Sequence, residues 1–154
     1  MSFCRYPPQG SRGFAPIRAS RYFLDLAEYC KSANDEILLV GMIESLRAVQ
    51  ELDSILKVPG LDAIYVGPGD WSASMGSLGN WKTSEVQEVI LQIVSKCVAA
   101  GMPCGTLVEG PEEFARWATR GATLMTLGSD LGFMMQGGSS ALKGAEALLA
   151  ERKK

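Results

Sequence analysis

Residues 37–44 read Ile37-Leu38-Leu39-Val40-Gly41-Met42-Ile43-Glu44, an almost wholly apolar run that ends on a carboxylate. A second run, Ile64-Tyr65-Val66-Gly67-Pro68-Gly69-Asp70, repeats that pattern. One amphipathic helix is predicted between them, so the spacing is that of a single β-α-β step. Neighbouring parallel strands lie roughly 5 Å apart and end at the same edge of a sheet. We therefore expect Glu44 and Asp70 to share the edge where α/β proteins place their chemistry.

The two carboxylates are candidate ligands for a metal ion. Oxygen ligands with no Cys or His beside them suit a hard divalent cation such as Mg²⁺ or Mn²⁺. Each residue also has a purely structural interpretation: Glu44 as an acid in the first turn of a helix, and Asp70 as a cap in a Gly/Ser-rich turn. The metal hypothesis requires both side chains to contact one ion.

Composition restricts the class of protein. At 154 residues and 47% hydrophobic content, the chain can form one domain with a substantial core. A formal net charge of −2 argues against a nucleic-acid partner. No apolar run approaches the roughly 18 residues that span a bilayer, so no membrane partner is expected. The N-terminal residues lack the apolar segment of a signal peptide.

The cysteine and histidine content bears on chemistry and location. Cys4, Cys30, Cys97 and Cys104 form no C-x-x-C pair, so we interpret them as reduced thiols and not as zinc ligands. Reduced thiols predict a cytoplasmic protein. The sequence contains no histidine, and therefore cannot supply the commonest general base or a Ser-His or Cys-His nucleophile pair.

Hydrophobic periodicity predicts one helix followed by four β-α units. Residues 1–18 are expected to form a loop or arm, and residues 19–154 one domain. The predicted helices cover 19–34, 45–58, 84–100, 111–120 and 139–152, and the predicted strands cover 37–43, 63–66, 103–108 and 123–127. A capping box is expected at Ser84-Glu85-Val86-Gln87, a functional loop at 67–81 and a helix break at Gly137-Gly138. This order predicts a parallel sheet, either small and open or half of an eight-stranded barrel.

Several motifs carry a family resemblance. They are Tyr6-Pro7-Pro8-Gln9-Gly10-Ser11-Arg12-Gly13, Met42-Ile43-Glu44, Val58-Pro59-Gly60-Leu61-Asp62, Gly67-Pro68-Gly69-Asp70-Trp71-Ser72, Met75-Gly76 with Gly79-Asn80, and Gly121-Ala122-Thr123 leading to Gly128-Ser129-Asp130. In this order and spacing they resemble the HpcH/HpaI aldolase/citrate lyase family, whose members are metal-dependent aldolases of pyruvate-derived hydroxy-keto acids. The resemblance covers residues 6–150.

The resemblance implies a fold and a site. The family fold is a TIM (β/α)₈ barrel, and the matching region is its C-terminal half, strands five to eight. By position in the motifs, Glu44 and Asp70 would hold the divalent ion, Mg²⁺ or Mn²⁺, with Co²⁺ as a further candidate. The backbone amides of Gly69 and Asp70 would bind the carboxylate of a small 2-keto acid of the pyruvate and oxaloacetate class.

The departures from the family pattern concern catalysis. The family's catalytic His and Arg come from the N-terminal half of the barrel, which has no counterpart here, so the catalytic residues stay unassigned. Met42 stands where some relatives have a Gln near the substrate. Gly69 replaces the usual Ala and Trp71 the usual Leu. The Tyr-Pro-Pro loop is structural in the family, so we do not expect Arg5 or Arg12 to replace the catalytic Arg.

These features leave three functional hypotheses open. The first is a metal-dependent carbon–carbon lyase of the class II aldolase type, which forms or cleaves 2-keto acids through a pyruvate enolate stabilised by the metal. A variant within the family is oxaloacetate decarboxylation with macrophomate synthase-like chemistry. The third hypothesis is a truncated, catalytically inert member that binds metal or a protein partner. Because half a barrel has unpaired strand edges, a homo-oligomer is also predicted, by edge pairing or by exchange of the C-terminal helix.

Overall fold

Four parallel strands form the sheet of the computed structural model, which describes residues 2–151. The strands are β1 (Val40–Ile43), β2 (Ala63–Val66), β3 (Cys104–Val108) and β4 (Thr126–Leu127), paired in chain order. The helices are α1 (Leu26–Ser32), α2 (Leu46–Gln50), α3 (Leu52–Ile55), α4 (Pro68–Ser74), α5 (Ser84–Ala99), α6 (Pro111–Ala118) and α7 (Asp130–Glu151), and a short 3₁₀ helix covers Ser2–Cys4. The predicted α/β class with parallel β/α units is confirmed.

The register of the sheet places the two strand ends side by side. Ile43 of β1 pairs with Val66 of β2, and Val66 pairs with Thr106 of β3. Glu44 and Gly67, the next residues along β1 and β2, therefore occupy equivalent positions at one edge. The Thr106 hydroxyl donates to the Val66 carbonyl oxygen at 3.1 Å, which satisfies a buried polar group inside the sheet.

The core lies between the sheet and α5. Ile64 and Val66 lie on one face of β2, and helical periodicity places the buried residues of α5 on one side, so two apolar surfaces face each other. The α5 residues that are fully or almost fully buried are Val86, Ile90, Ile93, Val94 and Cys97. Ile43, Ile64 and Val66 of the sheet belong to the same hydrophobic cluster. The position of α5 thus follows directly from its apolar stripe.

One face of β1 is open. Val40 and Met42 are exposed and alternate with Gly41 and the buried Ile43. Successive side chains of a strand point to opposite faces, so helices cover one face of β1 and leave the other uncovered. An uncovered apolar face is what half of a closed barrel would present toward the barrel interior.

The four cysteines are free thiols. Cys97 on α5 and Cys104 on β3 are buried against each other, while Cys30 is exposed. A hydrogen bond with the Cys104 thiol, together with burial, raises the pKa of the Cys97 thiol, which stays protonated. Among residues 2–151, no helix has the length and apolar character needed to cross a membrane.

The first predicted helix is much shorter than expected. The periodicity of residues 19–34 predicts a helix there, but α1 begins at Leu26. Arg21, Tyr22 and Phe23 adopt left-handed backbone conformations, with φ of 53°, 57° and 72°. The buried Ser20 accepts a hydrogen bond from the Phe23 amide through its hydroxyl. These local bonds hold a turn in place of a right-handed helix.

The second predicted helix is split. Residues 45–58 were expected to form one helix, but α2 ends at Gln50 and α3 begins at Leu52, with Glu51 between them at φ −92° and ψ 8°. The Ser54 hydroxyl donates to the Glu51 carbonyl oxygen at 2.7 Å and competes with the hydrogen bonds of the helix backbone.

The predicted capping box of α5 is shifted by one residue. Thr83, and not Ser84, caps the helix by accepting a hydrogen bond from the Val86 amide.

Three further expectations about local structure are wrong. Residues 68–74 of the predicted 67–81 loop form α4. The pair Gly137-Gly138 does not break the last helix, because α7 runs without interruption from Asp130 to Glu151. Strands β1 and β4 are shorter than the apolar runs that predicted them, because pairing with β2 and β3 begins only at Val40 and Thr126. The predicted helix end at residue 152 lies outside the described residues.

Residues near the N-terminus dock on the end of α1. The Tyr6 amide donates to Asn34 Oδ1 at 2.7 Å, and Asn34 Nδ2 donates to the Tyr6 carbonyl oxygen at 3.1 Å. The Tyr6 and Tyr29 hydroxyls are 2.9 Å apart. The Arg12 guanidinium lies over the Tyr6 ring, 4.7 Å from its centroid. The division into an arm at 1–18 and a domain at 19–154 stays a prediction.

Candidate metal centre

Glu44 lies at the end of β1 and reaches across to the end of β2. A methyl group built on Gly67 would be 3.2 Å from Glu44 Oε2 and 3.4 Å from Met42 Sδ. The Gly67 amide donates to the Ile43 carbonyl oxygen at 3.2 Å, which joins the two strand ends. Because Gly67 has no side chain, the half-buried Glu44 carboxylate can lie against it. Met42 Sδ lies on the same side of this glycine.

Asp70 lies in the first turn of α4, directly after β2. Pro68 occupies the first turn of this helix, where its missing amide hydrogen costs nothing. Trp71 and Ser72 are buried, so α4 is anchored on one side and leaves Asp70 exposed. The Ser72 hydroxyl donates to the Gly69 carbonyl oxygen at 2.6 Å. The turn that carries Asp70 is therefore held by α4 itself.

The segment after Glu44 is tied to α4. The Leu46 amide donates to Ser74 Oγ at 3.4 Å, across 28 residues of sequence. Ser45 caps α2 by accepting from the Ala48 amide at 3.3 Å. Glu44 and Asp70 thus stand on neighbouring strand ends of one edge, as the two apolar runs predict. Their roles as ligands stay predictions.

The donor set at this edge fits a hard divalent cation. Carboxylate oxygens from Glu44 and Asp70 are the ligand type that Mg²⁺ and Mn²⁺ prefer. Over residues 2–151, no group of three or more His, Cys, Asp or Glu side chains could hold a metal ion. Two carboxylates would therefore leave several coordination positions to water and substrate, as is usual for Mg²⁺.

Two backbone donors stand beside Asp70. Within the part of the chain that the structure describes, the amides of Gly69 and Asp70 have no hydrogen-bond acceptor. Both belong to the first turn of α4, whose amides cannot bond within the helix. Their position agrees with the carboxylate-binding role that the family resemblance gives them.

A third carboxylate at this edge escaped the sequence analysis. Glu109 follows Val108, the last residue of β3, just as Glu44 follows Ile43. The same signal, an apolar strand that ends on an acid, could have found it. The Lys82 ammonium pairs with Glu109 Oε2, and this hydrogen bond and the charge of Glu109 raise the pKa of Lys82.

Glu109 is part of a closed ring of polar contacts. The Glu109 amide donates to Glu113 Oε2 at 2.9 Å, and Arg116 donates to Glu113 Oε1 at 3.2 Å. Arg116 also donates to the Gln87 side-chain oxygen. Gln87 Nε2 donates in turn to the Trp81 carbonyl oxygen at 2.9 Å, beside Lys82. We call these residues the polar ring: Trp81, Lys82, Gln87, Glu109, Glu113 and Arg116.

Residues 1–136 match the family model described as HpcH/HpaI aldolase/citrate lyase. The chain belongs to this family. Among its relatives, the 2-dehydro-3,6-dideoxy-6-sulfogluconate aldolase of Pseudomonas putida is 37% identical over 151 residues, which are 96% of this chain and 59% of that protein. The 5-keto-4-deoxy-D-glucarate aldolase of Salmonella arizonae is 38% identical over 133 residues, 86% of this chain and 52% of that protein.

Solved structures agree with the sequence comparison. The crystal structure of an HpcH/HpaI aldolase/citrate lyase family protein from Burkholderia cenocepacia J2315 matches with a TM-score of 0.81 and 27% identity, over 94% of this chain and 58% of that one. The chain thus spans between half and three fifths of the length of these relatives. Its four parallel β/α units correspond to half of the family's TIM barrel, and its named relatives are aldolases.

Proposed function

We propose that this chain carries the metal-binding and pyruvate-binding part of a class II-type aldolase that forms or cleaves small 2-keto acids. The observation that supports this most strongly is the position of Glu44 Oε2 against Gly67, one short turn before Asp70, at the equivalent ends of β1 and β2. Membership of an aldolase family gives that pair of carboxylates its chemical context.

The residues of the proposed site divide metal binding and substrate binding between them. Glu44 and Asp70 hold and partly neutralise a divalent cation, Mg²⁺ or Mn²⁺, with Co²⁺ as a further candidate. The bound cation would supply Lewis-acid polarisation of the substrate keto group. The amides of Gly69 and Asp70 donate to the substrate carboxylate, and Gly67 keeps the space between the two acids open.

Proton transfer needs a group that has not been identified. The sequence contains no histidine, so it cannot supply the histidine base that the family resemblance implies. The catalytic residues therefore stay unassigned, and we expect the chain by itself to be slow or inactive. The competing hypothesis of an inert, metal-binding member follows from the same observation. Oxaloacetate decarboxylation of the macrophomate synthase type is the alternative within the family.

Metal titration tests the carboxylate pair. We expect Asp70→Asn and Glu44→Gln each to weaken Mn²⁺ binding at least about tenfold, because each removes one of two charged ligands. Isothermal titration calorimetry measures the dissociation constant. Glu88→Gln, which removes an exposed carboxylate on α5, is the matched control and should leave binding unchanged. Unchanged titration heats for Asp70→Asn would refute the proposed centre.

Deuterium exchange separates the active from the inert hypothesis. Incorporation of deuterium into the methyl group of pyruvate, followed by proton NMR with Mg²⁺ present, reports enolate formation without any acceptor. Exchange that disappears in Asp70→Asn would support the lyase. Metal binding without exchange would support the inert member, and release of CO₂ from oxaloacetate would favour the decarboxylation alternative.

We also propose that the protein is a homo-oligomer. Strands β1 and β4 form the two edges of the sheet in the described chain. The apolar side chains of α7 that are exposed are Leu131, Phe133, Met134, Met135, Leu142, Leu148 and Leu149. A second copy that packs against α7 would remove this surface from water. Light scattering at micromolar concentration should show a multimer for the wild-type protein. The double variant Leu142→Glu/Leu149→Glu should be a monomer. A monodisperse wild-type monomer would contradict the proposal.

The four free thiols agree with a reducing compartment, which we propose to be the cytoplasm. The partner molecule of the proposed function is a small 2-keto acid of the pyruvate and oxaloacetate class. No nucleic-acid partner is proposed, since the formal net charge is −2.

A further inference from the structure

Strand β1 has a free hydrogen-bonding edge in the described chain. The carbonyl oxygens of Leu39 and Ile43 accept hydrogen bonds from the segment that contains β2, the second from the Gly67 amide at 3.2 Å. Main-chain groups of successive residues in a strand point to opposite sides. The amides and carbonyl groups of Val40 and Met42 therefore point away from the sheet, where another parallel strand could bond to them.

Strand β4 presents the complementary edge. The Gly128 amide donates to the Val108 carbonyl oxygen at 3.0 Å, and Thr126 pairs with Leu107 of β3. By the same alternation, the main-chain groups of Leu127 point away from β3. All strands of the sheet are parallel, and β1 and β4 lie at its two sides. The β4 edge of one chain can therefore bond to the β1 edge of a second.

Apolar side chains are exposed beside both edges. Val40 and Met42 lie on the face of β1 that no helix covers. Leu127 is 49% exposed, and it pairs with Val108, which belongs to the core beneath the helices. Right-handed connections place each helix of such a fold over its own strand and the next one along the sheet. Helix α7 follows β4 and has no buried residue, because the described chain has no further strand on that side.

The sheet has the course of half a barrel, since the chain superimposes on somewhat more than half of a family structure. Eight parallel strands close into a barrel that has no edges and whose interior is filled by side chains. We propose that two copies of this chain close one eight-stranded barrel, with β4 of each copy paired with β1 of the other. This inference deepens the proposed homo-oligomer, and what it says of the metal centre rests on the proposed aldolase function.

A twofold axis along the barrel axis generates this assembly. Such an axis keeps all eight strands parallel and creates two identical seams, so both free edges of each copy are used. The second copy also brings its β1 beside β4, where α7 can cover it. Pairing of β4 with β1 without closure would give an open row of copies that still ends in two free edges. Closure therefore stops the assembly at two chains.

The strand ends of both copies meet at one mouth. Asp70 follows β2 in the first turn of α4, and Asp130 follows β4 in the first turn of α7. In the closed assembly, β1 lies between β2 of its own chain and β4 of the partner. Glu44 then has Asp70 on one side and Asp130 of the partner copy on the other. Because residues 2–151 of one chain bring no three such ligands together, the partner would complete the carboxylate set.

Cysteine crosslinking tests the seam directly. By the register of the sheet, Met42 and Thr126 lie on the same face at opposite edges, so a disulfide between them can form only between copies. Neighbouring parallel strands lie roughly 5 Å apart, which a disulfide can span. In a chain with Cys4→Ser and Cys30→Ser, the added pair Met42→Cys and Thr126→Cys should give a covalent dimer on a non-reducing gel after oxidation with diamide.

The single variants Met42→Cys and Thr126→Cys are the matched controls. In a twofold barrel the two copies of either residue face each other across the interior, too far apart for a disulfide. Val40→Cys with Thr126→Cys tests the neighbouring register on the same face. A covalent dimer from either double variant, and from neither single, supports the closed barrel. A ladder of larger species would show open pairing of edges, and monomers from both double variants would show none; either result overturns the proposal.

A charge on the inner face measures the same seam by affinity. Val40→Lys and Leu91→Lys alter side chains that are equally exposed in the single chain, at 36% each. Only Val40 becomes enclosed in the barrel, where an unpaired ammonium loses its hydration. Sedimentation equilibrium should show a dimer dissociation constant raised about 100-fold by Val40→Lys and unchanged by Leu91→Lys. A dimer that Val40→Lys leaves intact would mean that the copies meet elsewhere, for example only through α7, and would refute the barrel.

Both experiments contain no metal, so their outcome is independent of the test of Glu44 and Asp70. Calorimetric titration with Mn²⁺ then tests the partner's carboxylate. Asp130→Asn should weaken Mn²⁺ binding about threefold in the dimer, and should have no effect in the monomeric Val40→Lys background. Equal weakening in both backgrounds would show that Asp130 acts within its own chain. No weakening in the dimer would place Asp130 outside the centre, and either result refutes the partner's contribution.

Discussion

Helices α5 and α7 are both rich in apolar residues, yet they have opposite environments. In α5, five of 16 residues are buried against the sheet, whereas α7 has no buried residue along its 22 described positions. The apolar stripe of α5 finds its complement in β2 and β3 of the same chain. The apolar side chains of α7 find none in residues 2–151. Hydrophobic content therefore indicates which helix faces are apolar enough to be buried. It does not determine what they are buried against.

Glycines show the same contrast between the sheet and α7. At Gly105 of β3, an added methyl group would overlap the backbone carbonyl of Leu124, which precedes β4. At Gly138 in α7, nothing lies within 4 Å of the corresponding position. The sheet thus uses the absence of a side chain to bring two backbones together, while α7 only tolerates it.

The largest expected effect is that of Gly105→Ala. The methyl group would push the Leu124 backbone away and disrupt the pairing of β3 with β4, because backbone cannot move aside as a flexible side chain can. We expect the free energy of unfolding to fall by more than about 3 kcal/mol. Urea denaturation followed by circular dichroism measures it. Wild-type stability in this variant would show that the two segments are not in contact.

The next largest effect is expected when a buried aliphatic side chain of α5 is shortened, in comparison with an exposed one of α7. Ile93→Ala in α5 should lower the free energy of unfolding by about 3 kcal/mol, because it leaves a cavity in the core. Leu142→Ala in α7 should change it by less than about 0.5 kcal/mol for an isolated chain. Chemical denaturation at several protein concentrations compares the two. A concentration-dependent loss in Leu142→Ala would show that a second copy covers α7.

A smaller gain is expected from Gly138→Ala. Alanine has a higher helix propensity than glycine, and no neighbour obstructs its methyl group, so α7 should gain about 0.5–1 kcal/mol of local stability. Amide hydrogen exchange along residues 130–151 measures this. Faster exchange in the variant would mean that Gly137-Gly138 serves a contact with another molecule that the methyl group blocks.

The smallest effect concerns the N-terminus of α5. Hydrogen bonds from its own amide and from Thr83 and Ser84 lower the pKa of Glu85 below its ordinary value of 4.5. A lowered folded-state pKa stabilises the protein above the unfolded value, and this contribution is lost as the pH falls through the folded value. Glu85→Gln should therefore lose less stability between pH 7 and pH 3 than wild type. Glu88→Gln is the control, and equal slopes for all three proteins would contradict the assignment.

Part of this protein could be predicted from its sequence because local patterns determine it. The alternation of apolar runs with amphipathic segments predicted four parallel β/α units, which the structure confirms. Acids at or just beyond the ends of neighbouring parallel strands share one edge of the sheet, which is why the sequence predicts that Glu44 and Asp70 lie at the same edge. Glu109 obeys the same rule, because it directly follows Val108, the last residue of β3.

Local hydrogen bonds and tertiary contacts decided what periodicity could not. The turn at Arg21, Tyr22 and Phe23 replaces a helical pattern because bonds around Ser20 stabilise left-handed backbone there. The helix α4 forms because its own residues Trp71 and Ser72 are buried against the rest of the protein, although its glycine and serines favoured a loop. Local propensity differs by only about 1 kcal/mol per residue, so packing readily overrides it.

A cavity of about 380 Å³ at the ends of β3 and β4, beside the start of α7, belongs wholly to this second category. Trp81, Leu107 and Phe133 are far apart in the sequence and meet only where β3, β4 and α7 converge. The sequence by itself determined the order of the four β/α units and the sheet edge that carries the acids, because hydrogen-bond geometry acts over a few residues. Only the tertiary structure decided which distant side chains enclose a common space, because that depends on how the elements pack against each other.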